Sequence, residues 1–385
     1  MKQHFQTTKQ YCKQICQFFL IFVGLTSYWY DYKKADFKRN ILSRLVFVTL
    51  NIIGIAININ EDKGFLGFLE HIRMNTVLRY MTASRFIFIM LPPVCTFGQI
   101  CLRGSQLVDI KRKLQSLETE CRAKFASCKV IERKMGKLNL INLIIGAFTY
   151  IMTLAWNVYF KLWWLITILY ANITLLSPFW MCQYFQVIAK ICRLFYYIDK
   201  QLQKLLQDVT NSPDEMDENT AHEICLEIFW LRRKHFELCH LWQELETMSK
   251  WLICLKRLVS LISIGMHLYA VMAETRHFPI KHLLFYDLPD ILPKILDFYV
   301  TDYLCDLTKQ TFMDLQLTIR DLSGLDSKQP KLRREFEAFS LYLCFQKMNL
   351  HLSGPIRMGR RTWFAMMSAV TTCAIVLGQA HMKAA

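Results

Sequence analysis

Polar residues near the C-terminal end of the chain have the spacing of a channel lining. Thr372, Val376 and Gln379 stand at positions i, i+4 and i+7, so they share one face of a helix, and Ser368 extends that face. A stripe of polar and apolar side chains can line a water-filled pore, and its apolar member can close the pore by dewetting. Small polar residues can equally hold packed membrane helices together. This segment alone leaves both interpretations open.

Motifs for other kinds of chemistry are missing from the sequence. There is no P-loop, GxGxxG, HExxH or GxSxG motif, so nothing indicates an enzyme, and no cofactor is expected. No Cys/His cluster has metal-ligand spacing. His222, His235 and His240 lack the i,i+4 spacing of a helical metal site, and we expect them to be solvated or packed in a core.

Apolar runs of roughly twenty residues recur along the chain, and this is the length that a helix needs to cross a ~30 Å hydrocarbon core. Hydrophobic residues make up 53% of the 385 positions, more than is usual for a soluble domain. A large soluble helical protein is the alternative. The sequence predicts an all-α membrane protein with seven transmembrane helices, at about 41–59, 77–99, 138–158, 162–186, 255–273, 283–305 and 362–380.

The distribution of positive charge predicts the orientation of these spans. Of the 47 Lys and Arg residues, 35 lie on one side of the predicted membrane and six on the other. Because cytoplasmic loops accumulate Lys and Arg, we expect the N-terminus in the cytoplasm and the C-terminus outside. This orientation is the reverse of that of a G-protein-coupled receptor. It also explains the net charge of +16 without a nucleic-acid partner.

The longest polar segments are predicted to be cytoplasmic and helical, forming a bundle or a subunit interface. Leu231, Leu238, Leu241 and Leu245 have the spacing of a buried seam, and "NSPDEMDEN" interrupts the helical pattern before them. At the N-terminus, we favour an uncleaved amphipathic helix over a signal peptide, because no small-x-small cleavage site follows. The predicted parts are an arm (1–40), transmembrane helices 1–4 (41–186), a cytoplasmic segment (187–254), transmembrane helices 5 and 6 (255–305), cytoplasmic helices (306–361), the last span (362–380) and an outer tail (381–385).

Aromatic side chains at the predicted outer boundary are candidates for a ligand pocket. Trp156, Tyr159 and Tyr170 flank the hairpin between spans three and four, although an interfacial aromatic belt would have the same composition. Phe285 and Tyr286 approach the same level from span six.

Span two adds Arg85 as a further candidate for this pocket. An intramembrane charge usually faces protein or water, and we favour an ion pair with Asp287 or Asp290 over a direct ligand contact. We also expect the Pro92-Pro93 pair to kink or break this helix, because it removes backbone donors.

The arrangement resembles the insect gustatory receptors, which belong to the superfamily that also contains the insect odorant receptors. The family signature in the last helix is Thr-Tyr, five apolar residues and Gln-Phe. This chain keeps Thr372 and Gln379 at that spacing, and it carries Cys373 and Ala380 where the family has Tyr and Phe. The preceding "LSGPIRMGRRTWFAMMSAV" is also similar to the family's glycine, short re-entry and final helix.

The resemblance implies a ligand-gated, non-selective cation channel that assembles as a homo- or heterotetramer of gustatory receptor subunits in the lipid bilayer. The last helix would line the pore, with Gln379 as the pore glutamine and Val376 as the gate, and the inner helices would form an anchor domain. A small-molecule tastant, bitter or another non-sugar compound, would bind in the outer half of each subunit. The expected location is the plasma membrane of gustatory neuron dendrites. A non-conducting partner subunit and a secondary transporter are the alternatives.

Overall fold

The structure is a computed structural model in which most of the chain is described. The described residues are 20, 26, 28–31, 36–39, 41–71, 76–124, 128–159, 164–211, 218–274, 288–323, 330–346, 351–353, 356–357 and 359–384.

Helices account for nearly all of the described part, as the predicted fold class requires. Eight helices are described there: α1 (Ile41–His71), α2 (Thr76–Lys124), α3 (Lys129–Tyr159), α4 (Trp164–Asn211), α5 (Glu218–Glu274), α6 (Leu288–Ser323), α7 (Pro330–Phe345) and α8 (Arg360–Ala384). Two short antiparallel hairpins were not predicted; they are β1 (Tyr28–Asp31) with β2 (Asp36–Arg39), and β3 (His351–Ser353) with β4 (Ile356–Arg357). The predicted N-terminal amphipathic helix lies outside the described residues except for Leu20.

Long helices join the predicted spans to the predicted cytoplasmic segments. Helices α2, α4, α5 and α6 each continue across a predicted inner membrane boundary without interruption. Helix α4 ends at Asn211 and α5 begins at Glu218, so the helices are interrupted within "NSPDEMDEN", where the acidic break was expected.

Within the described part, three helical segments are long and apolar enough to span a membrane: Lys129–Met152, Glu218–Tyr269 and Arg360–Ala380. The seven-span arrangement stays a prediction.

Of the two outcomes expected at Pro92-Pro93, the break is wrong, because α2 continues through both prolines; the kink stays a prediction. Both proline rings are buried, and the hydroxyl of Thr96 donates to the Pro92 carbonyl at 2.7 Å. Tertiary packing around a buried proline can outweigh the loss of backbone hydrogen bonds.

The main hydrophobic core lies mostly in the segments predicted to be cytoplasmic, and it extends into three of the predicted spans. It joins the inner ends of α2, α3, α4, α5 and α6 to α7, and we call this part the anchor. The four predicted seam leucines are among its buried residues, since Leu231, Leu238, Leu241 and Leu245 are each at most 2% exposed. Burying one such side chain contributes roughly 1.5–3 kcal/mol, so this core can hold the helical extensions together.

Buried ion pairs connect α5 and α6 within their predicted spans. The Arg257 guanidinium binds both carboxylate oxygens of Asp302, and neither side chain is more than 4% exposed. Lys256 and Asp297 form a second pair at 2.7 Å. Lys294 of α6 donates to Ser263 of α5 at 2.9 Å. These contacts explain how a span as polar as 283–305 is accommodated, because its charges face a neighbouring helix.

Candidate pore helix and ligand pocket

The N-terminal end of α8 is fixed to α6 by one carboxylate. Oδ2 of Asp306 accepts from the backbone N–H of Arg360 at 3.0 Å and from its Nε at 3.2 Å. A negative charge is favourable at this position because the first N–H groups of a helix have no partner within it. A Cβ on Gly359 would lie 2.7 Å from Oδ1 of Asp306, so a side chain at this position would force the carboxylate to shift.

One face of α8 packs on α5 and α6 through small and aromatic residues. Ala374 and Gly378 are buried, and Gly265 of α5 lets the Val370 side chain approach to 3.4 Å of its ideal Cβ position. Near the start of the helix, the Trp363 ring meets Tyr299 of α6 edge-on, with 5.4 Å between ring centroids. This face fixes the rotation of α8 about its own axis.

The opposite face carries the residues predicted to line a pore. Ser368, Thr372, Val376 and Gln379 are all exposed. At 100° per residue, they lie roughly 120–160° around the helix from buried Ala374. The stripe predicted from spacing is therefore one continuous surface, turned away from the chain's own helices.

Apolar side chains next to this stripe are exposed as well. Ile375, Val376 and Leu377 are 43%, 58% and 53% exposed. In the most apolar part of α8, only 11% of the residues are buried within the chain. An exposed apolar patch of this kind marks a protein or membrane contact surface.

Two threonine hydroxyl groups on α8 are satisfied within the helix. Thr372 Oγ1 donates to the Ser368 carbonyl and Thr371 Oγ1 to the Met367 carbonyl, both at 2.9 Å. A threonine hydroxyl that donates to its own backbone keeps acceptor lone pairs for water or a cation. The Thr372 position can therefore face a pore without requiring a donor or acceptor from another helix.

His235 in the anchor is packed among aromatic rings, which is one of the two outcomes expected for the histidines. The His235 ring lies among Phe195, Phe312, Phe339 and Tyr342, with ring centroids 5.4–5.9 Å apart. Burial lowers the pKa of His235 to about 3, so the imidazole is neutral at physiological pH. In the described part of the chain, no group of three or more His, Cys, Asp or Glu residues could hold a metal ion.

The predicted ligand residues lie at positions where the structure describes no side chain. Trp156, Tyr159, Tyr170 and Arg85 belong to α3, α4 and α2, and only their backbone positions are described. Phe285 and Tyr286 lie outside the described residues altogether. The outer ligand pocket thus remains a prediction.

A pocket that the sequence did not predict lies near the predicted inner ends of spans two and four. Apolar side chains from α2, α4 and α5 line it, together with Gln99, Arg103 and Gln183. Gln99 donates to the Met248 carbonyl at 2.6 Å, which ties α2 to α5 beside the pocket. Three helices far apart in sequence contribute to it, so periodicity along one helix could not have indicated it.

The family of the chain is shown by a sequence comparison. The family model described as "7tm Chemosensory receptor" matches residues 14–384, almost the whole chain. The chain therefore belongs to the 7tm chemosensory receptor family, which confirms its resemblance to the insect chemoreceptor superfamily. No curated protein sequence matches the chain.

Solved structures with the same fold come from an insect olfactory receptor. The chain is similar to the olfactory receptor OR5 from Machilis hrabei, with a TM-score of 0.65 and 12% identity, covering 96% of this chain and 98% of that one. The structure of OR5 in complex with eugenol gives a TM-score of 0.64 and 11% identity, covering 97% and 98%. At this identity the likeness establishes the fold alone. Chemosensory receptors of this family are membrane proteins, and neither the family nor the fold is that of an enzyme.

Proposed function

We propose that the chain is a gustatory receptor and acts as a subunit of a ligand-gated, non-selective cation channel in the plasma membrane. Seven spans would place the N-terminus and the anchor in the cytoplasm and the C-terminus outside. Four subunits, identical or mixed, would surround one pore. We expect this channel in the dendrites of gustatory neurons.

The observation that carries this proposal is the division of α8 into two faces. Ala374 and Gly378 are buried where the helix packs on its own subunit. The four stripe residues on the other face are exposed: Ser368, Thr372, Val376 and Gln379. Four copies of this face around an axis would supply rings of Gln and Thr separated by a ring of Val. Polar rings suit a hydrated cation, and a constriction of valine can close by dewetting.

Helix α6 is the proposed connection between ligand and pore. It carries Asp306, which binds the start of α8, and Asp302, which is buried against Arg257 of α5. A ligand can open the pore only if it binds the open state more tightly than the closed state. Movement of α6 on ligand binding would be transmitted to α8 through the Asp306 carboxylate.

The proposed ligand is a small, largely apolar tastant. The candidate pocket residues Trp156, Tyr159, Tyr170, Phe285, Tyr286 and Arg85 are mostly aromatic, which favours bitter or other non-sugar compounds over sugars. The fold of OR5, which has been solved with eugenol, is compatible with a ligand of this size.

Whole-cell recording from cells that express the full chain tests the proposal. A panel of bitter alkaloids and small aromatic compounds, eugenol included, should evoke a cation current.

Gln379→Lys would place positive charge in the pore and should reduce cation permeation, whereas Gln379→Asn, the matched control, should conduct. Unchanged conductance and selectivity in Gln379→Lys would contradict the pore assignment. Current only on co-expression with related subunits would indicate the partner subunit instead, and saturable flux without channel current would indicate a transporter.

A further inference from the structure

Helix α3 leaves one of its faces uncovered by the rest of the chain. Its other face is buried against neighbouring helices through Ile131, Met135, Leu138 and Ile145, each at most 8% exposed. The exposed residues recur every three or four positions, as a single face of a helix requires. They are Val130, Arg133, Lys137, Leu140, Ile144 and Phe148. Some other molecule must therefore cover this face.

The chemistry of the exposed face changes at one point along the helix. Arg133, Lys134 and Lys137 are all exposed, and we call these three cations the basic segment. From Leu140 to Phe148 the same face is apolar, and its large side chains are 39–60% exposed. The change lies at the predicted inner end of span three, residue 138. A basic part followed by an apolar part matches the headgroup and the acyl chains of an anionic phospholipid.

The basic segment has no ionic partner within the described part of the chain. None of its three residues forms an ion pair with a described carboxylate. The carboxylate of Glu132, the neighbouring residue, accepts the Tyr197 hydroxyl at 2.9 Å. Lys134 contacts the Tyr303 ring of α6 instead, with 5.7 Å between Nζ and the ring centroid. A cation–π contact does not neutralise the charge, so all three positive charges are available to an anion.

The basic segment also lies at a single level of the predicted membrane. Its residues are one to five positions before 138, which is about 1.5–7.5 Å along the helix. Tyr303, which Lys134 contacts, is two positions from the predicted inner end of span six. Arg360, two positions before span seven, lies over the same ring, with Cζ 5.3 Å from its centroid. Three predicted inner boundaries therefore meet at this ring, at the level of the cytoplasmic headgroups.

We propose that the exposed face of α3 binds an anionic phospholipid of the cytoplasmic leaflet. The headgroup contacts Arg133 and Lys137, and the acyl chains lie along the apolar face from Leu140 to Phe148. A net negative headgroup is favoured over a zwitterionic one, because only the former compensates the charge of the basic segment. The proposal rests on the membrane orientation given under the proposed function, but not on channel activity.

Lipid binding to the purified full chain in neutral detergent, measured by native mass spectrometry, tests this proposal. The probe is dioleoyl phosphatidylserine, and dioleoyl phosphatidylcholine is the zwitterionic comparison. Phosphatidylserine should bind more tightly than phosphatidylcholine. Lys137→Gln should weaken phosphatidylserine binding about fivefold, because one Lys near the membrane surface contributes about 1 kcal/mol. Addition of Arg133→Gln should bring the loss to about 30-fold.

Lys204→Gln is the matched control for Lys137→Gln. It removes the same charge from an exposed position of α4, about 27 Å beyond the predicted inner end of span four at 1.5 Å per residue. Its affinity for phosphatidylserine should equal that of the unaltered chain. Equal affinities of the Lys137→Gln and Lys204→Gln variants would overturn the proposal, as would equal binding of the two lipids by the unaltered chain.

Two further measurements separate a lipid from other occupants of this face. Glycerophosphoserine, which carries the headgroup without acyl chains, should compete with the lipid only at much higher concentration; competition at equal concentration would indicate a site for free phosphate. The same mass spectra report the number of subunits. A change in that number in Lys137→Gln with unchanged lipid binding would make the face a contact between subunits and overturn the proposal. None of these measurements requires a current, so their outcome is independent of the channel proposal.

Discussion

The anchor and helix α8 hold their apolar side chains in opposite ways. In the anchor, large apolar residues from six helices are enclosed, and Phe195, Phe336 and Phe339 are at most 1% exposed. On α8, Val376 and Leu377 are more than half exposed. The contrast indicates that the anchor is stabilised by the chain itself, whereas most of α8 is not covered by its own chain; under the proposed function, lipid and other subunits would cover it. A channel needs such a division, since a pore helix must be free to move against a fixed support.

Breaking the buried ion pair between Arg257 of α5 and Asp302 of α6 should have the largest effect on stability. Asp302→Asn would leave Arg257 buried without its counter-charge, and we expect a loss of about 3–5 kcal/mol in folding stability. Thermal unfolding of the detergent-purified chain measures it. The exposed pair of Arg333 and Glu337, both more than half exposed, is the control, and Glu337→Gln should cost less than about 1 kcal/mol. Similar losses in the two variants would contradict the buried role of Asp302.

The same substitution in each region sharpens the comparison. Leu238→Ala in the anchor removes a side chain that is 1% exposed, and it should destabilise the chain by about 2–5 kcal/mol. Leu377→Ala on α8, 53% exposed, should change stability by less than about 0.5 kcal/mol. Chemical or thermal unfolding of the two variants provides the measurement. Equal destabilisation would mean that α8 is covered by its own chain.

Acid should weaken the anchor through His235. Its pKa is about 3 in the folded chain and ~6.5 when unfolded, so the unfolded state binds the extra proton as the pH falls below about 6.5. Stability is therefore highest above that pH, and it falls by roughly 1.4 kcal/mol per pH unit between about 6.5 and 3. His235→Phe should remove roughly 2 kcal/mol of the loss between pH 7 and pH 5. Melting curves at the two pH values measure this; an identical acid sensitivity in the variant would exclude His235 as its source.

The smallest effect on folding and the clearest effect on current are expected at the proposed gate. Val376→Ser should change stability by less than about 0.5 kcal/mol, because the side chain is exposed within the subunit. It should nevertheless raise the current without any ligand, because a polar ring no longer dewets the constriction. Leu377→Ser has a similar exposure on another face of α8 and is the control. A basal current in both variants, or in neither, would argue against Val376 as the gate.

Features that lie along one helix could be predicted from the sequence. The stripe from Ser368 to Gln379 and the seam that contains Leu238 follow from helical periodicity. The seam leucines are buried and the stripe residues are exposed, while the assignment of the stripe to a pore stays a prediction. Long amphipathic continuations of the spans were predictable for the same reason. The outer pocket residues, such as Trp156, stay a prediction.

Features that depend on pairing between helices could not be predicted. Arg257 and Asp302 are 45 positions apart, and each alone has the appearance of a charge near a membrane boundary. The ring cluster around His235 draws on α4, α6 and α7, so no single segment reveals it. Local reasoning also allowed a break at Pro92-Pro93, and that outcome was wrong, because α2 stays intact there.

Cysteine accessibility on α8 tests the central claim most directly. In a Cys373→Ser background, which removes the exposed native thiol of this helix, a cysteine is placed at Gln379 or at Leu377. These positions lie about 160° apart around the helix at 100° per residue. A positively charged thiol reagent applied from outside should block the cation current of Gln379→Cys and leave that of Leu377→Cys unchanged. Equal block of both variants, or labelling of Gln379→Cys with no loss of current, would contradict the assignment of this face to the pore.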